Sequence, residues 1–215
     1  MTRALGWLTA LALIVGLGAA FGYAPREAVQ GNVQRIMYLH VPAILVAYLA
    51  FCVVLVASVI YFWGCVVGVD WFVYVLAEVG VVFIGINIVI GAIWGKPTWG
   101  TWWTWDARLT SVSIMFVIYL GYLLLRAMIE DRERAARFAA VLGIVAALDI
   151  PLVHFSVYWW RTLHQPPTLL RPGSPPMDPT FVLALMVNLV AFVLLYGYFT
   201  AKRVRLLRQE EEVFA

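Results

Sequence analysis

The sequence predicts an all-α integral membrane protein, a bundle of six transmembrane helices. Of its 215 residues, 64% are hydrophobic and 13% are charged, a balance that soluble globular domains do not have. A helix needs about 20 mainly apolar residues to cross a bilayer. Six such runs occur, at about 5–23, 41–63, 71–93, 109–129, 139–158 and 180–200. The short remainder predicts a single membrane domain over residues 1–215, with no soluble ATPase, kinase or redox module.

The distribution of basic residues predicts the orientation of the helices. The first run follows only Met-Thr-Arg, and no A-x-A cleavage site precedes a soluble domain, so we expect a spanning helix rather than a signal peptide. Six spans put both termini on one side, which carries nine of the 15 Lys and Arg residues. Cytoplasmic loops hold the excess of basic residues, so both termini are expected in the cytoplasm. The net charge of +3 comes mostly from these flanks and favours lipid contact over nucleic-acid binding.

Three loops, at about 24–40, 94–108 and 159–179, are then expected at the outer face. The first carries an apolar stripe at helical spacing, formed by Val29, Val33, Ile36, Met37 and His40. This stripe predicts a short helix lying in the membrane interface before the second span. Pro42 restricts the conformation of Val41, so we expect the chain to break there. His40 would then lie at a corner, at the outer end of the second span.

The second outer loop contains the stretch WGKPTWGTWWTWDARLT, at 94–110, with five of the ten tryptophans. Gly95, Pro97 and Gly100 are expected to end the third helix, and Asp106 to cap the fourth. An interfacial aromatic belt needs one or two tryptophans per helix end. Five in one loop favour a docking surface for a planar apolar ligand, with a membrane-interface belt as the alternative.

The third outer loop, YWWRTLHQPPTLLRPGSPPMDPT, holds six of the ten prolines. Proline fixes φ and removes a hydrogen-bond donor, so we expect an ordered, non-helical cover. His164 lies just before the Pro-Pro pair, and Trp159 and Trp160 at the start of the loop add to the aromatic surface.

The two loops that flank the tryptophans therefore supply one histidine each, His40 and His164. Two neutral imidazoles that converge from opposite sides suit the axial positions of a six-coordinate haem iron, and indoles suit contact with the macrocycle. A structural hydrogen-bonding role for both histidines is the alternative. Cys52 and Cys65 form no CxxC or CxxCH motif, which favours non-covalent haem b. The cations expected near the propionates are Arg35, Lys96, Arg108 and Arg161.

Other polar groups lie inside the predicted spans. Asp149 and His154 flank Pro151 in the fifth span, where we expect an internal hydrogen-bonded site or an alternative iron ligand used during transfer. Glu78 in the third span is expected to face the bundle interior, either on a haem or proton pathway or in helix packing.

Three motifs carry a resemblance to a known family. The tryptophan stretch resembles the WWD signature of haem-handling membrane proteins, and YLHVPA and WWRTLHQPPT resemble the two histidine segments that flank it. Six spans and about 215 residues resemble the CcmC branch of that family. The resemblance covers the chain from about His40 to the sixth helix. It implies axial ligation by His40 and His164, a wall that includes Trp159 and Trp160, and a WWD core of Trp99, Trp102, Trp103, Trp105 and Asp106.

The resemblance also implies a binding and transfer role rather than an enzymatic one. Members of this family present haem at the outer face of the bacterial plasma membrane and pass it to a membrane-anchored haem chaperone, CcmE. They associate with the ABC transporter subunits CcmA and CcmB and a small subunit, CcmD.

Three alternatives remain at this stage. A haem lyase would need a site for an apocytochrome segment, which the sequence neither reveals nor excludes. A membrane b-type cytochrome would favour further histidine pairs deep in the helices, whereas this chain has three histidines in all. A cofactor-free subunit of an ABC transporter complex predicts a colourless protein.

Overall fold

The computed structural model describes residues 2–63 and 70–214, and every regular element in those ranges is helical. The all-α class is therefore confirmed for the described chain, and Cys65 lies outside it. A π-helical turn, Ala19–Tyr23, extends the first helix, and a 3-10 turn, Val33–Ile36, precedes the second. The α-helices are α1 (Thr2–Gly18), α2 (Met37–Phe62), α3 (Asp70–Trp99), α4 (Ala107–Met128), α5 (Arg132–Ala147), α6 (Asp149–Trp159) and α7 (Pro179–Phe214).

Six helical segments among the described residues are long and apolar enough to cross a membrane. The fifth consists of α5 and α6, which are separated only at Leu148 and together run from Arg132 to Trp159. The predicted six spans are confirmed in number and order. The side on which the termini lie stays a prediction.

Two predicted helix ends are wrong, and both involve proline. Pro42 lies inside α2, which begins at Met37, so the chain does not break before the second span. Pro97 lies inside α3, which continues through Gly95 to Trp99 and ends at Gly100, where φ is +79°. Proline removes one N–H group, and packing against neighbouring helices compensates for that loss in membrane proteins.

The short interfacial helix predicted from the stripe between Val29 and His40 is replaced by two other structures. Residues 24–32 form a turn segment with a single bridge between Glu27 and Gly31. The 3-10 turn Val33–Ile36 then leads directly into α2. His40 therefore lies in the first turn of a transmembrane helix rather than at a corner. The depth of the preceding segment relative to a lipid surface stays a prediction.

Helix α2 forms the centre of the bundle, packed against α3, α5 and α7. Its buried face includes Ala50 and Phe51, and the Phe51 ring stacks on Tyr119 of α4 with centroids 3.5 Å apart. Helix α3 approaches this face closely at Gly80. Helix α5 presents a buried stripe of small residues at four-residue spacing, which allows two helix backbones to come close in a membrane. The stripe consists of Ala135, Ala139, Gly143 and Ala147.

Glu78 takes part in helix packing at the end of α3 remote from Trp99. Its carboxylate accepts a hydrogen bond from the guanidinium of Arg203 on α7 at 2.7 Å, and both side chains are about one third exposed. Nearby, the Tyr196 hydroxyl donates to the main-chain oxygen of Leu76. These contacts tie α3 to α7 and place Glu78 away from both His40 and His154.

The close approach at Gly80 makes a testable prediction. In Gly80→Ala the new Cβ would lie 2.7 Å from the Cβ of Ala50 and 3.0 Å from the Phe51 ring. Overpacking of this kind lowers stability by about 1–3 kcal/mol. We expect a lower midpoint of thermal unfolding in detergent. Gly121→Ala is the matched control, because no atom lies within 4 Å of its new Cβ and alanine favours a helix by about 1 kcal/mol. Equal midpoints for the two variants would contradict the close packing of α2 and α3.

Candidate functional site

His40 and His164 meet at one end of the bundle. His40 comes from the first turn of α2, and His164 from the non-helical segment 160–178 between α6 and α7. Their ring centroids are 6.2 Å apart and the ring planes are inclined by 32°. The structure thus brings together the two histidines predicted from separate loops. One face of α3 and the start of α4 complete the surroundings of the pair.

Three residues on one face of α3 position the His40 ring. The amide nitrogen of Asn87 donates to the main-chain oxygen of His40 at 2.9 Å and lies 3.2 Å from the ring Nδ1. Gly91 leaves room for the ring, because a Cβ there would lie 2.8 Å from the His40 Cε1. Trp94 packs edge-on to His40 at 5.6 Å between centroids, and its Nε1 donates to Gln30. His40 is therefore fixed between two transmembrane helices.

Of these three residues, Trp94 was predicted only as one of the five tryptophans of the docking surface, and Asn87 and Gly91 were not predicted to line the site. Asn87, Gly91 and Trp94 are spaced by four and three residues, so they share one face of the helix. A polar, a small and an aromatic residue at that spacing in an apolar helix could have indicated that this face of the helix contacts a functional residue. That signal alone does not identify His40 as the residue they contact.

His164 is oriented by its own loop. Its Nδ1–H donates to the main-chain oxygen of Gln165 at 2.8 Å, which leaves Nε2 as the free electron-pair donor of the neutral ring. A backbone partner of this type is what usually fixes a metal-binding imidazole. The neighbouring N–H of Leu163 donates to Oδ2 of Asp106 at 3.1 Å.

The carboxylate of Asp106 accepts hydrogen bonds from two separate backbone segments. Its Oδ1 accepts from the N–H of Leu109 at 2.9 Å, so the predicted N-cap of α4 is confirmed. Its Oδ2 holds Leu163, the residue before His164. The aspartate of the tryptophan stretch therefore fixes the position of the second histidine relative to α4.

Arg108 is a buried cation beside both histidines. It is 9% exposed, and its Nη1 donates to the main-chain oxygen of Val153 at 3.4 Å. No carboxylate of the described chain lies within 4.0 Å of its guanidinium. A buried charge without a counter-ion is costly unless an anionic group pairs with it. The site is therefore suited to a ligand that carries a carboxylate or another anionic group.

The other three cations proposed for this role lie elsewhere. Arg161 is exposed, and Lys96 is exposed and donates to the main-chain oxygen of Gly100. The guanidinium of Arg35 donates to the main-chain oxygens of Ala20 and Ala24 at the end of the first helix. Of the four candidates, Arg108 alone lines the cavities around the histidine pair.

The predicted tryptophan surface divides into two groups. Trp94, Trp99 and Trp103 line the cavity between the histidines and α3, and the Trp99 ring centroid is 5.9 Å from that of His164. The other four do not line this cavity and are exposed by 51–78% of their surface. They are Trp102, Trp105, Trp159 and Trp160.

Two cavities of about 50 Å³ each adjoin the histidine pair. Arg108 and Ile44 line both; the first cavity also has Asn87 in its wall, and the second has Tyr48. An open cleft of about 730 Å³ lies beside them and shares Trp94 and Trp99 with the first cavity. Within the described ranges, no group of three or more His, Cys, Asp and Glu side chains is arranged to hold a metal ion. The ligand-binding capacity of the site therefore depends on two imidazoles, one guanidinium and apolar walls.

His154 and Asp149 take separate places. His154 lines the second cavity together with Tyr48 and contacts the main chain of Leu170. Asp149 is buried, and its Oδ2 has no hydrogen-bond partner among the described residues. No hydrogen bond within that part of the chain joins the two side chains, so they do not form the internal pair that the sequence suggests. All three histidines of the protein line the second cavity.

The environment of His164 predicts an unusual titration. Burial lowers the pKa of this imidazole to about 4, the positive charge of Arg108 acts in the same direction, and the hydrogen bond to Gln165 opposes both. Without a bound ligand the ring should be neutral throughout pH 5–8 and become protonated only near pH 4. NMR of histidine-labelled protein measures this directly, and loss of one of three signals in His164→Gln assigns it. Arg108→Gln should raise the pKa, and a wild-type pKa near the ordinary 6.5 would contradict the buried setting.

Comparison with known proteins gives a consistent family. A family model described as heme exporter protein C (CcmC) matches residues 1–214. Heme exporter protein C of Bradyrhizobium diazoefficiens is 40% identical over 201 residues, which cover 90% of this chain and 74% of that protein. Heme exporter protein C of Escherichia coli is 38% identical over 202 residues, with 93% and 81% covered. A putative cytochrome c biosynthesis ccmC-like mitochondrial protein of Marchantia polymorpha is 35% identical over 193 residues, with 90% and 80% covered. The chain therefore belongs to the heme exporter protein C (CcmC) family.

Proposed function

We propose that this protein binds haem b non-covalently between His40 and His164 and hands it on during cytochrome c biogenesis. Membership of the heme exporter protein C family supports a transport-type role in haem handling. The observation that carries the proposal for the site is the paired arrangement of two imidazoles beside a buried arginine.

The spacing of the two rings fits an iron held from both sides. An iron bound by two imidazole nitrogens at about 2 Å each holds the ring centroids about 6 Å apart. The observed separation is 6.2 Å. His164 already directs a free Nε2 away from its hydrogen-bonded Nδ1. The ring separation therefore suits axial ligation.

The number of donor groups favours haem over a bare metal ion. Protein sites for bare transition metals usually supply three or four ligands, whereas an iron in a porphyrin needs only one or two from the protein. His154 lines the second cavity as well, but in the described chain the three histidines are not arranged to hold one metal ion, so two imidazoles fit the second case. Filling both axial positions also keeps other ligands off the iron while haem waits for transfer.

Arg108 and the cavity tryptophans would recognise the rest of the molecule. The guanidinium of Arg108 would pair with a propionate, which would supply the anionic partner that the residue lacks in the described chain. Trp99 and Trp103 would contact the macrocycle, with Trp94 behind His40. The four exposed tryptophans would face lipid or a partner protein instead.

Binding requires the segment 160–178 to move. Cavities of about 50 Å³ are smaller than the roughly 300–1,000 Å³ of ordinary ligand sites, so a macrocycle has to part this segment from α3. His40 is fixed in a helix and His164 lies on the moving part. We infer that His164 is the ligand that yields when haem leaves.

The direction and partners of transfer form part of the same proposal. We propose that the site faces the outer side of the bacterial plasma membrane and that the haem chaperone CcmE receives the haem. The ABC transporter subunits CcmA and CcmB and the small subunit CcmD would be the associated proteins. The exposed tryptophans beside the site are candidates for the surface that meets the chaperone.

Histidine variants test the ligands. Wild-type protein purified in detergent and supplied with haem should give the optical spectrum of low-spin, six-coordinate haem. His40→Ala and His164→Ala should each give five-coordinate, high-spin haem or lose it, because each removes one axial ligand. His154→Ala is the control and should keep the wild-type spectrum. Low-spin haem in both ligand variants would show that the ligand assignment is wrong, and wild-type protein that does not bind added haem would refute the function.

Comparison of haem with haem dimethyl ester tests whether Arg108 pairs with a propionate. Arg108→Gln should weaken binding of haem by roughly tenfold or more, the order expected for one hydrogen bond to a charged group. The same variant should leave the affinity for haem dimethyl ester within about twofold of wild type, because the ester has no propionate charge. Arg161→Gln, an exposed arginine in the neighbouring loop, is the control and should change neither affinity. Equal losses for haem and its ester would assign Arg108 a structural role only.

A further inference from the structure

Three helices enclose polar groups that the candidate haem site does not use. Tyr48 of α2, Tyr119 of α4 and Asp149 of α6 are exposed by 6%, 0% and 6%, and all three lie in segments that are apolar enough to cross a membrane. The hydroxyl oxygens of both tyrosines and the Oδ2 atom of Asp149 have no hydrogen-bond partner among the described residues. Buried polar atoms in folded proteins are nearly always hydrogen-bonded, so these three atoms require a further partner.

The three atoms belong to one region of the bundle. The charge of Asp149 acts on the hydroxyl groups of both Tyr48 and Tyr119, so both lie within electrostatic range of its carboxyl group. Helix α4 packs against α6, and Arg108 of α4 donates to the main-chain oxygen of Val153. Val153 follows Asp149 by four residues and lies on the same face of α6. Helices α2, α4 and α6 therefore bring two hydroxyl groups and one carboxyl group together in the interior.

The main chain adds an acceptor beside Asp149. Pro151 has no N–H group, so the main-chain oxygen of Ala147, four residues earlier, lacks its α-helical donor. Ala147 is buried next to Leu148, the residue that separates α5 from α6. Interrupted backbone at membrane depth is tolerated where it is buried in protein or lines a water-filled cavity. The region thus offers two acceptors and two hydroxyl groups, which suits water molecules that make about three hydrogen bonds each.

Tyr48 connects this region to the second cavity beside the histidine pair. It lines that cavity of about 50 Å³ together with Arg108 and His154. A bound water molecule needs about 10–15 Å³ of such space, so the cavity has room for more than one. Arg108 and Asp149 both act on the Tyr48 hydroxyl, which is therefore within range of the cavity wall and of the carboxyl group. Tyr119 lines neither of the two cavities.

No cation pairs directly with Asp149. Within the described part of the chain, no Arg, Lys or His side chain lies within 4.0 Å of its carboxyl group. Helix α5 contributes no titratable group between Gly143 and Ala147. A buried carboxylate without a cation can be neutralised by a proton instead. The titratable groups in this part of the bundle are Tyr48 and Cys52 of α2, Arg108, Tyr119 and Tyr122 of α4, and Asp149, His154 and Tyr158 of α6.

We propose that Asp149 is a proton-binding site inside the bundle, and that it exchanges its proton with the second cavity through the Tyr48 hydroxyl and bound water. A hydroxyl group donates one hydrogen bond and accepts others, so it can pass a proton on one side while it receives one on the other. The proton comes from water in the cavity and returns to it. Ionisable residues inside transmembrane helices relay protons in this way in pumps and transporters. Asp149 can then take up or release a proton when the charge in the cavity changes. Haem is not needed for the exchange.

Infrared spectroscopy of the full-length protein in detergent tests this exchange. The carbonyl band of a protonated carboxyl group lies apart from that of a carboxylate, and the band that is missing in Asp149→Asn belongs to Asp149. At a pH where this band is fully developed, transfer to D2O should shift it within minutes in wild type. Tyr48→Phe should slow the shift by roughly tenfold or more, the order expected for one lost hydrogen bond along the route. Tyr119→Phe is the matched control and should exchange as fast as wild type, because its hydroxyl does not line the cavity.

Four results would overturn the proposal. The absence of any band that differs between wild type and Asp149→Asn would show that Asp149 binds no proton. A wild-type band that stays unshifted for hours in D2O would show that the carboxyl group is sealed from water. Equal rates in wild type and Tyr48→Phe would exclude the route through Tyr48, and equal slowing in both tyrosine variants would assign the effect to helix packing. If Asp149→Asn does not fold, Asp149→Glu replaces it, because the carboxyl group is kept and its band moves.

Discussion

The carboxylate of Asp106 is the interaction on which the candidate site depends most. Its two oxygens hold two N–H groups that are 54 positions apart in the chain, those of Leu109 and Leu163. One bond starts α4 and so directs Arg108 into the interior. The other anchors the loop that carries His164. Among the hydrogen bonds described for residues 160–165, this one alone joins the loop to the tryptophan stretch, and the contact of the His164 ring with Trp99, at 5.9 Å between centroids, adds to it.

One half of the site is held by helices and the other by a loop. His40 belongs to α2, and its ring is confined against α3 by Asn87, Gly91 and Trp94. His164 is held by the bond from the neighbouring Leu163 to Asp106, by its own main chain and by a ring contact with Trp99. A protein that transfers a ligand has to bind it and also release it. An asymmetric pair allows one imidazole to dissociate while the other still binds the molecule. The neutral state of His164 near pH 7 favours this, because no proton has to leave before a metal can bind.

Hydropathy was sufficient to predict the six spans, because each needs only length and apolar composition. Asp106 was predictable as a cap because its position before ARLTSVSIMF satisfies a local rule. The helix ends predicted at Pro42 and Pro97 are absent, because packing between helices overrides the local effect of proline. The proximity of His40 and His164 was predictable from their places in the two loops that flank the tryptophan stretch and from the family resemblance.

The sequence could not tell which of several similar residues line the site, and this required the three-dimensional structure. Arg108 and Arg161 look alike in sequence, yet one faces the bundle from the first turn of α4 and the other faces outward from a loop. The tryptophans divide in the same way, because the direction of each indole depends on a backbone path set by a contact distant in sequence. Asn87 was visible only as a polar residue in an apolar helix, since its partner is on another helix.

The positions of charge along α3 predict the depth of the site in a bilayer. Glu78 and Lys96 are 18 positions apart, about 27 Å along a helix, which is close to the roughly 30 Å thickness of the hydrocarbon layer. Gly91, which touches His40, lies five positions before Lys96, or about 7 Å inside that boundary. Arg108 begins the next helix just beyond the tryptophans. If these two charges mark the boundaries of the hydrocarbon layer, we expect a molecule held there to have its apolar body at the level of the acyl chains and its charged edge toward the headgroups. We would then expect access to the site both sideways from the lipid and from the water above.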